Sequence, residues 1–289
     1  LRDAVQKDVT RLEGLYRQTL GNNKVETIDE RVVLIGPQAA KTASGRVVTA
    51  EKILIATGAR PFLPDLPGIE HAISSNEIFH LDHLPKRMMI VGGGYIANEF
   101  AGIFHALGSE VILVNRSDVM LRGYEEEMVA RLIEISRAKG IDLRLGREPQ
   151  AIGKRDDGRL VVSMSDGADE LVDVVLYATG RVPNTKRLGL EEIGVVLGKK
   201  GEVIVDEACR TNIPSIFAVG DVIDRVQLTP VAIREGHAFA DREFGGKQVT
   251  LHYDAIPSAV FSNPPIAGVG LTEAEARAQY ADIAIYKSG

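Results

Sequence analysis

Apolar residues recur along this chain in two rhythms. Short continuous runs at 52–56, 88–91, 111–114, 141–145, 160–164, 171–177 and 215–219 predict strands, several of them buried on both faces. Stripes at three- and four-residue spacing predict helices. Val9, Leu12, Leu15, Tyr16 and Leu20 mark one over 8–20, ending at Gly21-Asn22. Ile96, Phe100, Ile103, Phe104 and Leu107 mark a second, and Met128, Leu132 and Ile135 a third over 125–139, stopped by Gly140. Weaker β-like runs, 25–28 and 31–35, precede a turn at Ser44-Gly45. Asp166-Gly167 predicts a turn that pairs 160–164 with 171–177 and feeds a return strand. The proline-rich passage 60–68 reads as an extended connection and a domain boundary.

The most informative stretch is 88–101, where a strand-like run passes through three glycines into a helix. Gly92-x-Gly94-x-x-Ala97 fits the G-x-G-x-x-G/A pattern, with Gly93 between. Gly92 permits the tight turn, Gly94 lets backbone approach a pyrophosphate, and Ala97 lets helix pack on strand. The helix N-terminus then faces the phosphates with unpaired N–H groups and its positive dipole end. Glycine turns also serve plain packing. The strand before and the helix after make the dinucleotide reading the better one.

The second strand of such folds ends in Asp or Glu, about 20 residues after the glycines, when the ligand is NAD. Glu110 lies near that spacing but precedes the run 111–114, and the strand ends instead at Asn115 and Arg116. Arg122 follows, so two guanidiniums bracket a short loop where a 2′-phosphate would lie. This pattern predicts NADP.

The return strand closes in Ala178-Thr179-Gly180-Arg181-Val182-Pro183, and an earlier strand closes in Ala56-Thr57-Gly58-Ala59-Arg60-Pro61. Two like junctions flanking one nucleotide fold predict a domain inserted in another. Asp221 falls at the carboxyl end of the strand at 215–219, where open α/β sheets bind ligands, and could accept hydrogen bonds from sugar-alcohol hydroxyls. Thr229-Pro230 opens a further helix, with Thr229 expected to cap it and its N-terminus able to stabilise negative charge on a bound ring.

Composition excludes several classes. Apolar residues are 45% and charged residues 26% of the 289, which is ordinary for a globular chain of roughly two domains. No apolar run reaches the ~18 residues of a spanning helix, so no membrane partner is expected. A net charge of −6 with mixed signs leaves no basic footprint for nucleic acid. Cys209 is the single cysteine, which rules out an internal redox pair, and the six histidines show no ligand spacing, so no metal is expected. The first residues resemble neither a signal nor a transit peptide, which gives an expectation of a cytoplasmic protein. Leu1 is not an initiator methionine, and the chain reads as cut from something longer.

Taken in order, ILIATGARP (53–61), IVGGGYIANEFAGIF (90–104), NRSDVMLRGYEEE (115–127), YATGRVPNT (177–185), SIFAVGDV (215–222), LTPVAI (228–233) and AVFSNPPIAGVGLTE (259–273) resemble the pyridine nucleotide-disulfide oxidoreductase family of flavoenzymes, in its glutathione-disulfide-reducing branch. The resemblance implies an α/β fold: a Rossmann-like NADP-binding domain at 59–183, inserted in a partial FAD-binding domain at 1–58 and 184–254. The start of an α+β interface domain follows at 255–289, through which the family forms homodimers. It implies NADP contacts at Gly92, Gly93, Gly94, Ile96, Glu99, Arg116, Arg122, Gly180, Arg181, Gln227 and Ala259, and FAD contacts at Val32, Thr57, Asp221 and Thr229. Tyr95 matches the tyrosine that covers the flavin and swings aside for nicotinamide, and Glu99 the glutamate that pairs with a lysine beside the redox disulfide.

That lysine, the first FAD glycine motif, the CxxxxC redox pair and the C-terminal His-Glu acid/base pair are not in this sequence. The implied parent is an NADPH-dependent FAD enzyme reducing glutathione disulfide, while this chain by itself is expected to be inactive toward it. Rival readings are a sister reductase for trypanothione or mercuric ion, and a nucleotide-binding module without catalysis. A dihydrolipoamide dehydrogenase fits less well, since it would want an acidic residue at Asn115.

Overall fold

The computed structural model describes residues 2–288. In chain order its elements begin with α1 (Arg2–Asn22), β1 (Val32–Gly36), β2 (Ala39–Thr42), β3 (Val47–Thr49), β4 (Ile53–Ile55) and β5 (Ala59–Pro61). The middle of the chain forms β6 (Arg87–Val91), α2 (Tyr95–Ala106), β7 (Glu110–Asn115), α3 (Glu126–Lys139), β8 (Asp142–Leu145), β9 (Pro149–Lys154), β10 (Leu160–Met164), β11 (Asp169–Val172), β12 (Val174–Tyr177) and β13 (Arg181–Pro183). The last part forms β14 (Ile216–Ala218), α4 (Thr229–Glu243), β15 (Ser258–Val260), β16 (Ile266–Gly268) and α5 (Glu273–Gln279). These elements divide into two units. One is built from the chain up to Arg60 together with Val182–Leu251, and the other from Pro61–Arg181 together with the chain from His252 on.

The second of these units is organised on a parallel sheet of order β12-β6-β7-β8. Its register sets Met88 to Val91 beside Val111 to Val114 on one side and Val174 to Tyr177 on the other. Met88, Met89, Ile90, Val111, Ile112 and Val114 have no exposed surface, because the sheet is covered on both faces and strand residues point alternately to each. Met88, Ile90, Val111 and Leu113 pack with Phe100, Phe104, Val129 and Leu132 of α2 and α3. Met89, Val91, Ile112 and Val114 pack with Ile152, Val162 and Val172 from the antiparallel sheet β9-β10-β11. The run 171–177 is two strands, not one, separated at Asp173, whose carboxylate accepts the N–H groups of Lys86 at 2.8 Å and Arg87 at 2.9 Å. Within the α2 stripe Ile103 and Leu107 are 48% and 44% exposed, so the buried face runs through Ala97, Phe100, Ala101 and Phe104. Glu110 is the first residue of β7, and its carboxylate accepts from Arg87 Nε at 2.8 Å. The hairpin β15-β16 belongs to this unit and contributes Val260 and Ile266 to the same core as α2.

In the other unit β1, β2 and β3 form an antiparallel sheet, and β4 pairs in parallel with β14, Ile53 beside Ile216. Leu34, Ile55, Leu190, Val203, Ile216 and Val222 make its core. Three expectations change here. Residues 25–28 form no strand, and α4 is capped by Leu228 rather than Thr229. Leu228 is extended at φ −131° and ψ 133°, no side chain caps the helix, and Thr229 and Pro230 are its first two residues. The opening helix is longer than its periodicity suggested, 21 residues, and none of them is buried.

Candidate functional site

The site is built at the carboxyl end of β6. Gly92 turns the chain at φ 142° and donates its N–H to Val114 O at 2.8 Å. A Cβ on Gly92 would stand 2.3 Å from Ala178 O, so only glycine lets the turn cross the end of β12. Gly94 is the N-cap of α2, extended at φ −86° and ψ −177°, with no side-chain cap. A Cβ there would meet nothing within 4 Å. The start of α2 thus has open space beside its N-cap and no side chain capping it, which suits a phosphate. Ala97 is fully buried beneath the turn, as helix-on-strand packing requires.

The arginine loop is fastened to this turn. Leu121 donates its N–H to Gly93 O at 2.8 Å, and a Cβ on Gly93 would fall 2.7 Å from Asn115 Nδ2. Arg116 and Arg122 are both exposed, and Arg122 Nη2 donates to Ser117 Oγ at 3.4 Å. Tyr95 is 42% exposed at the start of α2, and Ile96 is half-buried beside it. One turn on, the Glu99 carboxylate accepts the N–H of Phe261 at 2.9 Å, which brings the β15 segment, with exposed Ala259, to α2. Lys139 Nζ reaches the same segment, donating to Asn263 Oδ1 at 2.7 Å. Gly180, at φ 138°, and Arg181 follow β12, and Gly180 O accepts the N–H of Phe62 at 3.0 Å. The Tyr177 hydroxyl of β12 is pushed up to about 12, chiefly by burial and further by the Glu148 carboxylate.

The remaining site residues lie in the other unit. Asp221 is in a 3-10 turn, Gly220–Ile223, at the carboxyl end of β14. Gln227 Nε2 donates to Asp224 Oδ1 at 2.7 Å, and Lys200 Nζ to Asp224 Oδ2 at 2.7 Å. Thr57 O accepts from Asn184 Nδ2 at 3.4 Å, Val32 pairs with Thr42 at the start of β1, and Thr229 is exposed at the first turn of α4. Cys209 is fully buried at φ 63°, and burial and then the Glu235 carboxylate push its thiol up. Among the described residues no cluster of His, Cys, Asp and Glu could hold a metal ion.

Two residues have a part that the motifs did not disclose. Asn115 lies directly under the glycine turn. Glu235 is 1% exposed, and its carboxylate accepts the N–H of Gly220 at 2.6 Å, next to Asp221. The signal for Glu235 was present in the helical stripe Val231, Glu235, Ala238, Phe239, where a charge stands at a buried position.

A parallel sheet in the order of the first half of a dinucleotide fold, carried in a segment inserted between two parts of another unit, defines a Rossmann-like α/β protein. The chain belongs to the pyridine nucleotide-disulphide oxidoreductase family. The family's model matches residues 2–236, and that of its dimerisation domain residues 256–289. The chain is 47% identical over 285 residues to glutathione reductase of Burkholderia cepacia, covering 99% of this chain and 63% of that protein. It is 45% identical over 279 residues to the chloroplastic/mitochondrial glutathione reductase of Pisum sativum, covering 96% and 50%. Trypanothione reductase of Trypanosoma congolense is 46% identical over 242 residues, covering 83% and 49%. Among solved structures, the HOCl-induced flavoprotein disulfide reductase RclA from Escherichia coli superposes with a TM-score of 0.88 at 28% identity, over 96% of this chain and 65% of that one. The chain thus spans about half to just under two thirds of the length of these curated relatives. No described helix is long and apolar enough to cross a membrane.

Proposed function

We propose that the whole protein is an NADPH-dependent FAD flavoprotein that reduces glutathione disulfide as a homodimer, and that this chain carries its NADPH-binding domain. In this reading 59–183 binds NADPH, 1–58 and 184–254 are parts of the FAD domain, and 255–289 begins the dimer interface. The carrying observation is the uncapped glycine turn of α2 tied through Leu121 and Gly93 to a loop bearing two exposed arginines. The residues fit a 2′-phosphorylated dinucleotide: open backbone at Gly94 for a pyrophosphate, and Arg116 and Arg122 for the extra phosphate. Glutathione disulfide is preferred to trypanothione because the two glutathione reductases match over 99% and 96% of the chain and the trypanothione reductase over 83%.

When bound, nicotinamide and flavin supply the hydride and electron chemistry. The chain's own residues bind and orient. Gly92, Gly93, Gly94 and Ile96 shape the dinucleotide cradle, with Gly180, Arg181, Gln227 and Ala259 as further NADP contacts. Asp221 is assigned to ribityl hydroxyls, Val32, Thr57 and Thr229 to further FAD contacts, Tyr95 to the gating role, and Glu99 to an NADP contact and to the pairing with a lysine beside the redox disulfide. Cys209, buried and single, supplies no dithiol, so disulfide reduction falls to residues outside this chain.

Titration of the chain with NADPH and NADH tests the reading. NADPH is expected to bind more tightly, and Arg116→Ala with Arg122→Ala should narrow the preference while leaving NADH affinity nearly unchanged, since charge-assisted contacts contribute about 1.5–3 kcal/mol each before solvent weakens them. Equal affinities in the unaltered chain would sink it.

A further inference from the structure

The arginines that would select the 2′-phosphate are exposed and carried on a loop, so something must fix that loop. Asn115, the last residue of β7 and 9% exposed, is placed to do so. Its Nδ2 donates to Ser117 O at 2.8 Å and to Val119 O at 2.9 Å, and lies 3.2 Å from Ser117 Oγ. Ser117 Oγ in turn donates to Val119 O at 3.1 Å and accepts from Arg122 Nη2 at 3.4 Å. Above the carboxamide lies Gly93, where a Cβ would come within 2.7 Å of Nδ2 and 2.9 Å of Oδ1. One amide group thus gathers two loop carbonyls from below the glycine turn, between the two arginines in sequence. We propose that Asn115 is a positioning residue for dinucleotide specificity: it holds residues 116–122 in the conformation that presents Arg116 and Arg122 to a 2′-phosphate. The inference rests on the NADPH reading given above.

The requirement is for a donor. Aspartate has the same shape but would turn a carboxylate toward two carbonyl oxygens, and would add negative charge beside the phosphate position. Alanine removes the donor without adding charge and leaves both carbonyls without their amide partner. Either change acts on the loop and not on the helix N-terminus, so the part of the dinucleotide common to NADH and NADPH should still be held.

The test is titration of NADPH and NADH into the full chain carrying Asn115→Ala, Asn115→Asp, Arg116→Ala with Arg122→Ala, and the triple change adding Asn115→Ala to the two arginine changes. Loss of a buried donor to two acceptors should lower NADPH affinity about tenfold in Asn115→Ala, and more in Asn115→Asp, with NADH affinity kept. Because Asn115 is argued to act through the arginines, adding its change to the double arginine variant should cost NADPH affinity nothing further. Asn115 variants that keep the NADPH-over-NADH ratio, or lose both ligands equally, overturn the proposal, as does a full further loss in the triple variant. An unaltered chain without preference for NADPH overturns the underlying reading instead.

Discussion

Replacing Gly92 by alanine separates what the glycine turn does for the fold from what it does for a ligand. The new Cβ would stand 2.3 Å from Ala178 O and 2.8 Å from Ala178 C, both backbone atoms, where side chains essentially never come within 3.0 Å. Relief needs a displacement of at least the 0.7 Å between 2.3 and 3.0 Å. The atoms that must move end β6 and β12, and Met89, Ile90, Val175 and Leu176 on those strands are fully buried, leaving little room to give. Alanine at φ 142° adds about 1–3 kcal/mol of backbone strain. Forcing the strands apart adds about 1–3 kcal/mol of overpacking. Together, about 2–6 kcal/mol is a large part of the about 5–15 kcal/mol that holds a typical domain folded. The matched control is Gly94→Ala, at φ −86° with nothing within 4 Å of the new methyl, which should cost the fold no more than about 1 kcal/mol. Urea unfolding followed by circular dichroism should therefore show a large fall in midpoint for Gly92→Ala and a much smaller one for Gly94→Ala. NADPH titration should show the reverse defect, a folded Gly94→Ala chain that binds poorly because its methyl stands where the pyrophosphate would approach. A Gly92→Ala chain as stable as the original would refute the close crossing with β12, and a Gly94→Ala chain with undiminished affinity would refute the phosphate cradle.

Three further outcomes follow from buried groups. Glu235→Ala leaves the Gly220 N–H without its acceptor, so unfolding stability should fall by about 1–3 kcal/mol, with Glu235→Gln, which retains an acceptor oxygen, milder. The Tyr177 phenol, held up to about 12 against an ordinary 10.0, favours the folded state. That contribution is complete below the ordinary value and lost as pH climbs to about 12, so Tyr177→Phe should flatten the alkaline fall in unfolding midpoint. The Cys209 thiol, pushed up by burial, should resist thiol reagents in the folded chain and react on unfolding, which a colorimetric thiol assay reads directly.

Most of the nucleotide fold was legible because its signals are local. The apolar run before Gly92 and the helical stripe after it lie next to each other in sequence, and the structure puts β6, turn and α2 there. Gly140 stops α3 in the left-handed conformation at φ 106°, as a glycine after a helix should. What escaped depended on partners far away in the chain. Val25 to Ile28 has strand-like residues but no strand beside it, so propensity alone did not make one. Asp173 divides an apolar run because Lys86 and Arg87, 87 and 86 residues earlier, donate to it. In the sequence Asn115 is only a non-acidic residue at the selector position, since nothing there shows that two loop carbonyls will turn back on its amide.

The inserted arrangement also bears on the order in which the chain can assemble. Pairing β4 with β14 brings Ile53 to Ile216, a closure across a long stretch of chain that costs roughly 4–5 kcal/mol of chain entropy if everything between is unstructured. The N–H of Phe62 meets Gly180 O at 3.0 Å within the inserted unit, so once that unit has formed its two ends are already side by side. The effective loop then shrinks severalfold, to the stretches between Ile53 and Phe62 and between Gly180 and Ile216, which lowers the closure cost by about 1 kcal/mol. Assembly of the parallel sheet around Gly92 therefore eases the joining of the two halves of the other unit, and a lesion there should slow the pairing of β4 with β14 severalfold.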